Sequence, residues 1–262
     1  MVKSINPKFW SPRIPEIQWV GMYCLILISW LVLFLFGIYQ SHHPVNFFDF
    51  DDLIGSLISP HYHHLDFMFL FGMWGIMALA MMLPSFVPTL RVYEDLRSTG
   101  SGSREGFWVL TLGYVTVWLI YAIFMTVIQI YLISLNILPD AMGDLNIYPI
   151  VILFLLAGIY QLSNFKDRCL TYCRNPLLIF LARGEVGLTG EFYSGIRFAA
   201  WCLGCCFFLM ALCLITGLMN IAWMGLLTII VILEKLPDLG KYVSKPLGIV
   251  LIATSLIIYT FQ

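Results

Sequence analysis

The sequence predicts an all-α polytopic membrane protein, a bundle of about seven transmembrane helices with its N-terminus cytoplasmic and its C-terminus outside. Three observations lead there. The 262-residue chain is 60% hydrophobic and only 11% charged, with a mean hydropathy of +0.89. Soluble domains run to roughly 45–50% apolar and about 25% charged residues. The apolar residues gather in stretches near the length that a bilayer core requires, and every basic residue falls in alternate connections between them. This composition excludes a soluble enzyme, a disordered chain and a nucleic-acid-binding module, so nucleic acid is not an expected partner; the lipid bilayer is.

The spans follow in chain order. Ile17 to Gln40 is almost unbroken in apolar character, and Phe67 to Leu90 follows with Pro84 near its end. Phe107 to Leu135 is the third and Ile147 to Leu162 the fourth. Arg197 to Gly217 and Ile221 to Leu236 are the fifth and sixth, separated by a short turn at Leu218-Met219-Asn220. Leu247 to Phe261 is a short seventh. Residues 1–262 read as a single integral membrane domain, with residues 1–66 contributing the first span and a His-rich outer loop. Trp10, Trp19, Trp30 and Trp108 lie near span ends, where tryptophan anchors helices at the interface.

Charge sets the orientation. Lys3, Lys8 and Arg13 precede the first span, and the loop from Ser41 to Asp66 has no Lys or Arg. Arg91, Arg97 and Arg104 lie in the second loop, and Asn136 to Asn146 has none. Lys166, Arg168, Arg174, Arg183 and Arg197 occupy the fourth loop and its far edge, and Lys235, Lys241 and Lys245 the sixth. All 14 basic residues thus fall on one side, which the positive-inside rule makes cytoplasmic. Merging spans five and six would put Lys235, Lys241 and Lys245 outside. The first span is too long for a signal-peptide core and has no small-residue cleavage site behind it. The expected location is a bacterial inner membrane, crossed several times.

Carboxylates are nearly absent from the span centres, which argues against a proton pump; no lysine lies in span seven to hold retinal. Sulfur is the informative chemistry. Cys169 and Cys173 stand four apart just beyond span four, and Cys202, Cys205 and Cys206 stand in what reads as the first turns of span five, ahead of Cys213. At helical pitch Cys169 and Cys173 lie about 40° apart, as do the extremes of Cys202, Cys206 and Cys213. Reduced cytoplasmic thiols at such spacing can share a soft ion, Cu(I) first and zinc as the alternative, with Lys166, Arg168 and Arg174 favouring thiolate. The competing reading is close packing, since Gly195, Ala199, Ala200 and Gly204 mark the same helix as a tight seam.

A second, outer metal site is suggested by His61, His63 and His64, with Asp66 leading into a stripe of Met73, Met77 and Met81. His42 and His43 are further candidates for it, and ordinary helix packing is the rival account of the methionines. No catalytic residue is assigned. Gly184 to Gly190 lacks the ending of a phosphate loop, and no Ser-His-Asp order or HExxH occurs.

Several segments together resemble a known family. They run from Met73-Trp74 through Ala80-Met81-Met82-Leu83-Pro84, then Ala157-Gly158-Ile159-Tyr160-Gln161-Leu162 with Lys166, Cys169, Cys173, Arg174 and Pro176. Gly195, Cys202-Leu203-Gly204-Cys205-Cys206, Leu209-Met210 and Gly217 to Met224 follow, closing on Glu234-Lys235. This order, covering about residues 71–236, is similar to the predicted metal-binding integral membrane proteins, a domain-of-unknown-function family sometimes labelled copper chaperone. The resemblance implies metal handling.

The resulting expectation is a membrane protein that holds Cu(I) through Cys169, Cys173, Cys202, Cys205 and Cys206, with Met210 as a soft neighbour. It would deliver metal to, or receive it from, a cuproenzyme. Two rivals stand beside it: a non-catalytic accessory or assembly subunit of a larger, redox-type membrane complex, and a membrane redox enzyme acting on a lipophilic substrate. Pro84, Gly204 and Asn220 are expected to shape helices.

Overall fold

The computed structural model describes residues 17–40, 66–100, 102–135, 137, 147–181, 187–216, 221–236 and 240–260, and among them every regular element is a helix. The helices are α1 (Ile17–Gln40), α2 (Phe67–Ser98), α3 (Arg104–Ser134), α4 (Ile147–Gln161), α5 (Asn164–Arg174), α6 (Pro176–Leu181), α7 (Leu188–Ala211), α8 (Cys213–Thr216), α9 (Ile221–Lys235) and α10 (Gly240–Thr260). The expected all-α bundle is what forms, and each predicted span overlaps helix, although five or six rather than seven crossings are supported by length and composition.

The lengths differ from expectation. Five helices, α1, α2, α3, α7 and α10, are long and apolar enough to cross a membrane, or six crossings if α4 and α5 make one bent span. At 15 residues each, α4 and α9 extend only about 22 Å, short of the roughly 30 Å hydrocarbon core. Helix α4 stops because the chain turns by 63° into α5. Ser163 starts the new helix, its hydroxyl accepting from the Lys166 amide at 3.3 Å. By contrast α7 begins at Leu188, well before the predicted start of span five at Arg197. Cys202, Cys205 and Cys206 therefore sit in its middle rather than its first turns.

Side-chain contacts give the directions. Trp30 meets Ala80 and Phe36 meets Phe69, so α1 and α2 are antiparallel. Gln18 bonds the Arg104 carbonyl and Trp19 packs on Phe107, so α1 and α3 start at the same end. Helices α3 and α7 run parallel, touching at Gly106 and Glu191, then Tyr114 and Phe198, then Tyr121 and Phe207. Glycines make that seam: a Cβ on Gly113 would run into the Phe192 carbonyl, and one on Gly195 into the Leu110 carbonyl. Helices α4 and α10 form a second tight pair, antiparallel, where Gly158 faces Ile252 and the Gly248 carbonyl, and Ser255 donates to the Val151 carbonyl at 2.9 Å.

Helix α2 carries Pro84 and Pro88 internally. Proline has no amide hydrogen, so Pro84 leaves the Ala80 carbonyl without its helical donor. The Trp30 indole fills that vacancy at 2.9 Å. Trp30 is thus a tie between α1 and α2, in addition to any role at an interface. Met73, Met77 and Met81, with Met82, are buried in the core beside Trp74, Phe86 and Trp118. The stripe thus lies inside the bundle, in contact with other helices. His42, His43, His61, His63 and His64 lie outside the described residues, as do Trp10 and Asn220.

Candidate metal centre

Helix α5 lies across α7 and brings one of its two cysteines into the other group. The sulfurs of Cys173 and Cys205 are 3.8 Å apart, and those of Cys205 and Cys206 are 3.2 Å apart. Cys202 lies within side-chain hydrogen-bonding reach of Cys173, Cys205 and Cys206. The Cys205 thiol also donates to the Cys202 carbonyl at 3.0 Å. All four residues are buried. Helical spacing explains the meeting. Cys202, Cys205 and Cys206 project from one side of α7, and Cys173 closes the group from α5. Tyr172 next to it stacks on Trp201, their ring centroids 4.3 Å apart.

Cys169 occupies a different place. Its sulfur points at Gly204, and a Cβ there would come within 2.9 Å of it. Gly204 is therefore the gap that lets α5 close on α7, in keeping with its expected shaping role. Met210 is fully buried one turn beyond Cys206. The structure joins Cys173, Cys202, Cys205 and Cys206 through direct contacts, and it sets Cys169 at the adjoining seam.

The group is a set of touching thiols rather than a finished cage. Two sulfurs bound at about 2.3 Å to one tetrahedral ion lie about 3.8 Å apart. Cys173 and Cys205 match this; Cys205 and Cys206 are closer. Among the described residues no three His, Cys, Asp or Glu side chains form a ready metal-holding group. What the arrangement offers is paired soft sulfur in a dry environment, a donor set suited to Cu(I).

Polar residues missed at the sequence level surround the thiols. Lys235, read above as a topological charge and as the close of the family-like run, turns inward from the end of α9. It donates to the Ser85 hydroxyl at 2.7 Å and to the Cys202 sulfur at 2.9 Å. The Tyr114 hydroxyl stands 3.2 Å from the same sulfur and donates to the Met82 carbonyl at 3.1 Å. Four helices, α2, α3, α7 and α9, thus converge on Cys202.

Lys166 differs from expectation in the same way. Instead of serving the neighbouring cysteines, its ammonium is fully buried against the Glu234 carboxylate, 2.8 Å away, and it also donates to the Gln161 side-chain oxygen. Gln161 donates in turn to Glu234. Arg174 caps the end of α9 by donating to the Glu234 carbonyl from Nε at 3.0 Å and Nη2 at 2.8 Å. The basic group beside the thiols is Lys235; Lys166 and Arg174 anchor the helix that carries Cys173. A signal for this lay in the adjacent Glu234-Lys235 at the end of a span too short to carry both charges clear of the membrane.

An apolar groove of about 350 Å³ opens beside Gly204, lined by Tyr160, Phe165, Phe207 and Phe208 among others. Its one polar tip, the Tyr160 hydroxyl, donates to the Gly204 carbonyl.

No curated protein and no protein of solved structure matches the chain. The sequence model of the family described as PpoB2, copper chaperone, matches residues 71–258. That stretch runs from α2 through nearly all of α10 and contains the thiols, Lys235 and the Lys166–Glu234 pair. The chain therefore belongs to the PpoB2 copper chaperone family.

Proposed function

We propose that this protein is a multi-pass membrane carrier of Cu(I), holding the ion as cargo between Cys173 of α5 and Cys202, Cys205 and Cys206 of α7, for transfer to or from a cuproenzyme. The observation that supports this most is the 3.8 Å meeting of Cys173 and Cys205 from two different helices. That spacing suits two sulfurs sharing an ion as well as two thiols in van der Waals contact, and the sulfurs come from residues 32 apart in the chain. Cys169 and Met210 are soft residues at the margins, placed to receive the ion as it enters or leaves. Zinc is the alternative ion, since four thiols are also a set it takes in structural sites.

In this reading the N-terminus is cytoplasmic and the C-terminus outside, in a bacterial inner membrane. The contacts that make α1, α3 and α7 parallel and α2 opposed to α1 agree with that alternation. Cys202 would then lie a few residues beyond Arg197, within reach of cytoplasmic donors.

Metal analysis of the purified protein after anaerobic loading with Cu(I) tests the proposal. Wild type should retain the ion through desalting. A variant with Cys173, Cys202, Cys205 and Cys206 all changed to serine should not. Stoichiometric copper in neither protein, or equally in both, overturns it.

A further inference from the structure

We propose that Lys235 is the residue that makes this site prefer a monovalent soft cation to a divalent one; the inference rests on the thiols being the metal ligands. Lys235 places its ammonium 2.9 Å from the Cys202 sulfur, and its other bond among the described residues is to the neutral Ser85 hydroxyl. The nearest carboxylate in sequence, Glu234, faces the other way and is taken by Lys166. Tyr114 brings a neutral hydroxyl. Among the described residues, then, the partner left for the positive charge of Lys235 is sulfur.

The charge count follows from this. When one monovalent ion binds two thiols, two S–H bonds break, two metal–sulfur bonds form and two protons leave, with no change in oxidation state. The product carries one negative charge, and the adjacent ammonium brings the site to neutrality. A divalent ion on the same two sulfurs is neutral by itself, so the half-buried Lys235 ammonium leaves an uncompensated positive charge beside buried sulfur, which is costly. A divalent ion would need a third thiolate to reach neutrality beside Lys235, which means drawing one more proton from a buried thiol. Lys235 thus acts on the ligand set as a charge partner without binding the metal.

Silver(I) and cadmium(II) are redox-inert soft probes that differ in charge. Competitive titration of each against a small thiol chelator, in detergent-solubilised full-length protein, gives the affinity ratio. Wild type should favour silver. In Lys235→Met the silver affinity should fall by about tenfold or more, the scale of losing one close charge contact, while cadmium binding holds or rises. Lys235→Arg, which keeps the charge, should keep most of the preference, and Lys235→Gln repeats the test should the methionine variant not fold. A silver-to-cadmium ratio unchanged in the uncharged variants overturns this inference and leaves the metal reading standing. Failure of wild type to bind either ion removes both.

Discussion

Lys166 and Glu234 form an ion pair at 2.8 Å with side chains 0% and 1% exposed, and it fastens the helix bearing Cys173 to the end of α9. Removing two charges from water is expensive, so such a pair is weak evidence for stability in itself; breaking it is another matter. Lys166→Met strands a buried carboxylate with, among the described side chains, Gln161 left to support it, and should cost about 3–5 kcal/mol. The double variant Lys166→Met with Glu234→Leu should recover most of that loss, because no charge is left behind. Thermal unfolding in detergent reads both, and a double variant no more stable than the single one would show that the pair is not the source.

The seam between α3 and α7 should reject any side chain. Gly195→Ala drives a methyl group into the Leu110 carbonyl, and backbone cannot yield as a flexible side chain can. The expected loss is about 1–3 kcal/mol or more. Gly225→Ala, on a helix face with nothing within 4 Å of the new carbon, should instead be neutral or stabilise by about 0.5–1 kcal/mol. Equal responses at the two sites would refute the packing described.

Trp30 and Pro84 should be energetically coupled although they sit on different helices. Trp30→Phe removes the donor to a carbonyl that Pro84 has already deprived of its helical partner. In a Pro84→Ala background the new backbone amide takes over that carbonyl, and the same change should cost less. A double-mutant cycle should show about 1 kcal/mol of coupling. Strict additivity would mean that the indole bond contributes nothing.

Much of the fold was legible in residue type and order. Each of the seven apolar runs became a helix, and helical spacing grouped Cys202 with Cys206. The helix ends were less legible. Residues 188–196 continue α7 with Glu191, Ser194 and Gly195 buried against α3, yet their polar character reads as loop when only hydropathy is weighed. The two short helices looked like full spans because an apolar run does not reveal where the chain will bend.

The sequence by itself determined that this chain is a helical membrane bundle, and that sulfur is its available soft chemistry. These follow from composition and from one-dimensional spacing, since solvation and helical pitch act residue by residue. Which cysteine meets which, and which lysine faces them, was decided only in three dimensions. The crossing of α5 over α7 at Gly204 separates Cys169 from Cys173, and the end of α9 sends Glu234 to Lys166 and Lys235 to Cys202. Contacts between residues far apart in the chain depend on how helices cross, and neighbouring residues on a helix face opposite partners there.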